Sequence, residues 1–237
     1  MPTIYRCTLE LHDSLYFATR EIGRLYETEP VLHNYALSYV LGLVDSDRYH
    51  TTVPEEHAYR YFCAEQVPRY EEHLTPLNQQ GIYVTPARAT RHTSVLNTWK
   101  YADNRYHVEM KQTEKNIPSF GRTKEIAPES QFEFFVISER AIALPRWVRM
   151  GKWASKAEIT YEELSNLKHH QAAEFAVPFP LNPLDVMFSN QVMSYDVVNM
   201  PPVSLIRNVR MKGEFYTFEG SPGNLKIPVQ MQYRFGS

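Results

Sequence analysis

Apolar and polar side chains alternate without a break over Thr3–His12. Tyr5, Cys7, Leu9 and Leu11 fall on one face and Arg6, Thr8, Glu10 and His12 on the other, the period of a half-buried β-strand. The period then changes. Thr28 is a capping residue with Pro30 in first-turn position, and Leu32, Tyr35, Ala36, Tyr39, Val40 and Leu43 recur at helical spacing, with Gly42 near the expected stop. Between them runs Ser14–Glu27, a polar connection carrying Arg20 and Arg24 that is long for a simple link, the length of a functional loop. Pro54–Tyr70 reads as one or two short helices and Gly81–Ala89 as extended chain. Val95–Ala102 and Arg105–Lys111 flank Asp103-Asn104, whose residues tolerate the positive φ of a tight hairpin, and this predicts a hairpin with a basic outer face.

Gln112–Pro128 contains Gly, Pro and Lys and predicts an irregular connection to the apolar run Phe132–Ile137, a central strand. Pro145–Met150 is extended, Lys152–Lys156 is a short basic turn after Gly151, and Tyr161–Leu167 fits either period. Farther on, Phe175–Phe179, Gln191–Val198, Val203–Phe218 and Lys226–Phe235 read as strands, with a helical turn starting at Asn182-Pro183. No internal repeat or low-complexity tract divides the chain. Sixteen tyrosines, twelve phenylalanines and sixteen prolines against nine glycines strengthen the expectation of an α+β fold rich in β.

No apolar run approaches the roughly 18–20 residues of a membrane span, so a soluble, cytoplasmic protein is expected. The two cysteines, Cys7 and Cys63, sit in apolar settings that suit small buried hydrophobes, and a disulfide between them stays open. Phosphate-binding and dinucleotide glycine loops and the His-Glu-x-x-His pattern are absent, and the adjacent His169 and His170 diverge in most backbones, so neither cofactor nor metal is expected.

The net charge of −2 conceals an uneven distribution. Residues 86–156 hold thirteen basic against seven acidic side chains, while residues 1–85 hold six against twelve and residues 157–237 six against eight. Such asymmetry suits contact with phosphate on one surface and with protein elsewhere. The densest cluster is Arg146-Trp147-Val148-Arg149-Met150-Gly151-Lys152-Trp153-Ala154-Ser155-Lys156, with four cations, two indoles and no acid. Cations beside stacking platforms fit single-stranded RNA; Trp147 and Trp153 fit equally well as core side chains beneath cations that reach to water. Arg88, Arg91, Lys111, Lys115, Arg122 and Lys124 form a second basic set. His92 and His107 lie near cations, which keeps a metal-independent endoribonuclease as the alternative function, although nothing fixes a nucleophile and base together.

Four stretches carry a resemblance to a known family. They are Ile4-Tyr5-Arg6-Cys7, the run from Tyr16 through Arg20 and Arg24 to Glu29, the helix containing His33-Asn34-Tyr35-Ala36-Leu37-Ser38-Tyr39, and the Arg149-Met150-Gly151-Lys152 turn. Through them the whole chain resembles the Csc-one family, the type I-D branch of the Cas-five superfamily of CRISPR proteins. The resemblance implies an RNA-recognition-motif-like, ferredoxin-type body with a β-hairpin thumb. As one domain over 1–237, it would carry the thumb around 93–137 and a β-rich C-terminal lobe around 171–237. It further implies a non-catalytic subunit of a Cascade complex that caps the 5′ handle of the crRNA, contacts the backbone subunit and the large subunit, and lies near target DNA at its PAM. On this reading Arg146, Arg149, Lys152, Trp153 and Lys156 bind RNA first, Arg20 and Arg24 second, the thumb's Lys111, Lys115, Arg122 and Lys124 third, and Arg88 and Arg91 beside them.

Overall fold

The computed structural model of the chain describes residues 1–44, 68–101, 119–218 and 225–236. In chain order the first elements are β1 (Thr3–Leu11), β2 (Arg20–Ile22), β3 (Leu25–Glu27), β4 (Val31–Leu32), α1 (Asn34–Val40), α2 (Tyr70–Gln79), β5 (Ile82–Val84) and β6 (Ala87–Arg91). They are followed by β7 (Ser94–Tyr101), β8 (Ser119–Ile126), β9 (Gln131–Ser138), β10 (Trp147–Met150), β11 (Ser155–Glu163) and β12 (Lys168–Val177). The last are α3 (Pro183–Val186), β13 (Gln191–Val198), β14 (Leu205–Thr217) and β15 (Ile227–Pro228). The fold is α+β.

The alternating strand β1 organises the body. It lies inside a sheet of order β10-β11-β1-β9-β6-β4, antiparallel to both neighbours, with β5 also paired to β9. Leu9 sits between Phe132 and Ile159, and Cys7 between Phe134 and Tyr161. The inward face of Cys7, Leu9, Leu11, Phe132, Phe134 and Ile159 is buried under Leu37 and Leu41 at α1. Each large apolar side chain so buried contributes about 1.5–3 kcal/mol, so a one-residue slip of β1, which would turn Arg6, Thr8 and Glu10 inward, is strongly disfavoured. Burial pushes the Cys7 thiol up to about 12, so it packs as an inert small hydrophobe; Cys63 lies outside the described residues.

On the opposite face the sheet is part covered and part open. Phe135 packs on Phe179 at 5.1 Å between ring centres and joins a second core with Phe175, Val177, Ile206, Val209 and Met211 of the C-terminal sheet, order β12-β14-β13 with β15 on β14. Beside it the buried Glu133 carboxylate is held by two guanidinium groups, Arg6 at 2.7 Å and Arg88 at 2.9 Å. A third sheet, order β2-β3-β8-β7, is joined to the body through the backbone pair Leu15 and Ile126.

Several local expectations shift. The helix begins at Asn34 rather than after Thr28, because Val31 and Leu32 pair with Arg88 and Ala87 as a sheet edge. His33 then caps α1 by accepting from Tyr35 N, while the Thr28 hydroxyl bonds both backbone groups of Phe17. The polar loop 14–27 contains a small hairpin, β2 and β3, turning at Gly23. Strand β7 pairs with Ser119–Ile126, inside the stretch expected to be irregular; the expected arm Arg105–Lys111 lies outside the described residues. Helix α2 was not signalled, since Pro76 stands within it. Of Lys226–Phe235 only Ile227–Pro228 pairs as a strand, because Tyr233 N is bound by Asn78 and Arg234 N by Asp185 instead.

Those last bonds belong to a buried polar knot. The Asp185 carboxylate accepts from Asn34 Nδ2 at 2.8 Å, Tyr83 OH at 2.9 Å and Arg234 N at 3.0 Å, and Ser38 meets the Tyr233 hydroxyl at 2.6 Å. Four segments distant in sequence, α1, β5, α3 and the C-terminal stretch, are thereby tied through the core.

Candidate nucleic-acid interface

The basic cluster resolves into an edge strand, a turn and the strand that returns from it. Alternation along β10 turns Val148 and Met150 inward and Trp147 and Arg149 outward. Across β11, Lys156 Nζ lies 4.1 Å above the Trp147 ring, Arg146 Cζ lies 5.7 Å from it, and the His12 ring meets its edge at 5.1 Å. Arg146 donates to Glu158 at 2.8 Å, and Arg149 donates to the Ala154 carbonyl at 2.9 Å, bracing the turn.

Gly151 is required where it stands. Its φ is +75°, and a Cβ there would come within 2.8 Å of Leu15 Cδ1 and 2.9 Å of the Tyr16 carbonyl. That close approach lets Lys152 N donate to Tyr16 O at 2.9 Å and lays Trp153 on Tyr16, with 4.7 Å between centres. Lys152 itself points to solvent without a side-chain partner among the described residues.

The turn reaches the third sheet at Trp99 of β7, whose ring meets Trp153 edge to face at 5.4 Å and 69°. Trp99 is held in place: its indole N–H donates to Thr123 at 2.9 Å, Thr123 donates to Glu125 at 2.6 Å, and Asn97 donates to the same carboxylate oxygen at 2.7 Å. Both indoles nevertheless remain about half exposed, 51% for Trp99 and 43% for Trp153. The other face of this sheet is cationic with apolar patches. The pairing register places Leu25, Arg122 and Thr98 in one row and Glu27, Lys124 and Leu96 in the next. Arg20 holds Glu27 from the neighbouring strand and lies 3.3 Å from Glu29, while Lys124 reaches Glu27 at 3.4 Å. The Arg20 bond and the Lys124 charge hold the Glu27 carboxyl below its usual range. Arg122 and Arg24 extend into solvent.

Of the residues singled out in the sequence, the structure thus gathers Arg20, Arg24, Arg122 and Lys124 on the third sheet and Arg146, Arg149 and Lys156 on the β10–β11 edge. Lys152 and Trp153 bridge the two. Arg88 is engaged by Glu133 and by the Pro178 carbonyl at 2.8 Å, and Arg91 by the Glu129 carbonyl at 3.0 Å. Lys111, Lys115 and His107 lie outside the described residues. Among the described residues no group of three or more His, Cys, Asp or Glu is placed to hold a metal, and no helix is long and apolar enough to cross a membrane.

A family model, Type I-D CRISPR-associated protein Cas5/Csc1, matches residues 2–236. The chain belongs to this family. As a Cas5/Csc1 protein it is a subunit of Cascade, the RNA-bound CRISPR interference complex, and it is not an enzyme. No curated protein matches the chain. Among solved structures, a chain of the Type III-B Cmr-beta complex bound to cognate target RNA and AMPPnP is 8% identical. The match covers 87% of this chain and 86% of that one, with a TM-score of 0.42.

Two features of this Cas5/Csc1 surface escaped the sequence reading. Trp99 carries no signal of its own in the sequence, since a lone aromatic in a strand reads as core, although its alternation with Asn97 places both on one face. Trp147 was left between core and surface; its position directly across from Glu158, beside the Arg149 and Lys156 pair, makes it an outward residue.

Proposed function

We propose that this Cas5/Csc1 subunit caps the 5′ handle of the guide RNA, holding unpaired ribonucleotides between the third sheet and the β10–β11 turn and leaving them uncut. The observation that carries the proposal is the half-exposed pair Trp99 and Trp153, with Trp99 held from behind by Thr123, the cations of the β10–β11 turn beside Trp153, and a second group of cations on the opposite face of the third sheet. Stacking of a base on an indole is worth about 1–3 kcal/mol, and phosphates on either side are met by guanidinium and ammonium groups. Arg24, Arg122, Arg149, Lys152 and Lys156 serve as direct phosphate partners. Arg20 and Lys124 contribute beside Glu27 and Arg146 beside Glu158, and Lys111 and Lys115 are retained as RNA contacts on the strength of the sequence. Arg88 and Arg91 act at one remove, since their guanidinium groups hold the body together.

The body is read as RNA-recognition-motif-like. The succession β11-β1-β9-β6, antiparallel throughout with α1 and α2 between β1 and β6, supports that reading, as the fourth, first, third and second strands of a ferredoxin-type sheet. On it the β7–β8 hairpin is the thumb and the C-terminal sheet an added lobe. Exposed apolar side chains on that lobe, Phe188 at 70%, Val197 at 53% and Met193 at 52%, support contacts with the backbone and large subunits, which would set the protein beside target DNA near its PAM.

Charge reversal tests the proposal: Arg149→Glu with Lys152→Glu abolishes guide-dependent assembly in pull-downs while the isolated chain keeps its circular dichroism spectrum. Assembly at the wild-type level would reject the assignment.

A further inference from the structure

A cavity of about 240 Å³ is lined in part by residues 17–19, just before β2, and by Lys152 of the basic turn. Five sequence segments build it. The loop before β2 contributes Phe17, the start of α1 His33 and Tyr35, the start of α2 Tyr70, and the stretch after β13 Met200 and Pro201. Lys152, exposed on the basic turn, stands at its mouth. The walls are aromatic and preorganised. Tyr35 is 1% exposed and packed against His33 at 4.5 Å and Tyr70 at 5.0 Å. His33 accepts from Tyr35 N at Nδ1 and faces the Val203 carbonyl with Nε2, which fixes it as the neutral tautomer with its proton on Nε2.

We propose that this cavity takes a single nucleobase splayed out of the bound RNA, its phosphate held by Lys152. The inference rests on the RNA-binding reading above and adds a second base site to it, separate from Trp99. Four properties select that occupant. The cavity is smaller than the roughly 300–1,000 Å³ of pockets for drug-sized ligands, so it admits one ring system. Its lining includes the half-buried rings of Phe17 and Tyr70, the kind of surface on which unpaired bases stack. The charge at the entrance is positive, which favours a ring carried on a phosphate over a neutral apolar side chain. Finally, Tyr16 connects the two sites: its ring backs Trp153, its carbonyl receives Lys152 N, and the next residue, Phe17, lines the cavity. A strand stacked on the indoles is thereby led along the Tyr16–Phe17 segment toward the cavity.

The cavity reads planarity rather than base identity. Both His33 nitrogens are engaged, and the Thr19 hydroxyl already donates to the Glu27 carbonyl and accepts from Glu29 N, both at 2.9 Å. Removing the base at the captured position is therefore costly, and exchanging one base for another is mild.

Abasic scanning of a short single-stranded oligoribonucleotide against the wild-type protein tests this without altering the fold. The stacking energies per base correspond to a loss of roughly 5- to 150-fold. Such a loss is expected at two separate regions, and in Ala36→Trp, which fills the cavity, the loss at one of them disappears because the base no longer enters. Exchange of that base for each of the other three changes affinity only a few-fold. An abasic profile identical in wild type and Ala36→Trp overturns the cavity assignment, as does an Ala36→Trp protein that binds every oligonucleotide normally but fails to join its partner subunits, which would give the cavity to a protein side chain. Failure of the underlying RNA reading is distinguishable: wild-type affinity would then be weak and insensitive to salt and to Arg149→Glu with Lys152→Glu.

Discussion

At Gly151 a single hydrogen atom in place of a side chain decides whether the basic turn can rest on the body. Gly151→Ala combines a positive φ with contacts to Leu15 and to the Tyr16 carbonyl that backbone cannot relieve, and should cost about 1–3 kcal/mol in denaturant unfolding together with a loss of Trp153 burial against Tyr16. Two buried titrating groups make opposite demands on pH. Burial pushes the Asp185 carboxyl up from 3.8 to about 7 and His33 down from 6.5 to about 4. Folded Asp185 holds a proton that the unfolded chain has released, so its contribution falls as pH rises from about 4 to 7. His33 must stay neutral, so its contribution is lost as pH falls below about 6.5. The two slopes, each at most about 1.4 kcal/mol per pH unit, oppose one another over most of that range. Asp185→Asn should therefore unmask a loss of stability toward acid, and His33→Gln a loss toward neutral pH, in melts recorded from pH 4 to 8. At this scale the sequence spoke unevenly. The side chains of β1 declared their faces by alternation, whereas nothing near Asp185 announced that its partners would be Asn34, Tyr83 and the Arg234 backbone, because each comes from a different part of the chain.

Strands β7 and β8 are joined by a ladder of eight residue pairs, and β3 adds to β8 in parallel. The first arm was legible from its composition. The second was not, because Gly121 and the charged Arg122, Lys124 and Glu125 read as loop when the partner strand is unknown. Once paired, those charges divide by face, with Arg122 and Lys124 outward and Thr123 and Glu125 beneath Trp99. Thr123→Val would leave the Trp99 N–H without its acceptor and Glu125 with one donor fewer, keeping that of Asn97, and should destabilise the protein by about 1–3 kcal/mol in chemical denaturation. The element also supplies an optical probe, since the chain has three tryptophans. Titration with single-stranded RNA should quench fluorescence in Trp147→Phe nearly as in wild type, and much less in the double variant Trp99→Phe with Trp153→Phe; the reverse ranking would move the stacking site to Trp147.

For the whole molecule, the excess of positive charge in residues 86–156 proved divisible. Arg88, together with Arg6 from the first strand, neutralises the buried Glu133, whereas Arg149, Lys152 and Lys156 lie on the β10–β11 edge and turn and Arg122 and Lys124 face outward from the side of the third sheet opposite Trp99. A one-dimensional charge count cannot separate these uses, since the distinction depends on which strand lies opposite. If the outward cations meet phosphates, the affinity for single-stranded RNA should fall steeply with salt, by about 0.7 logarithmic units per tenfold rise in salt for each phosphate contact. Arg122→Glu should flatten that slope in binding isotherms at several salt concentrations. The position of β1 bears on how the molecule comes into being. It is synthesised long before its neighbours, which begin only at Gln131 and Ser155. During most of translation the segment destined for the middle of the sheet has both edges bare, so a nascent chain stopped before Gln131 should aggregate or recruit chaperones, and refolding should be slow for a protein of this size.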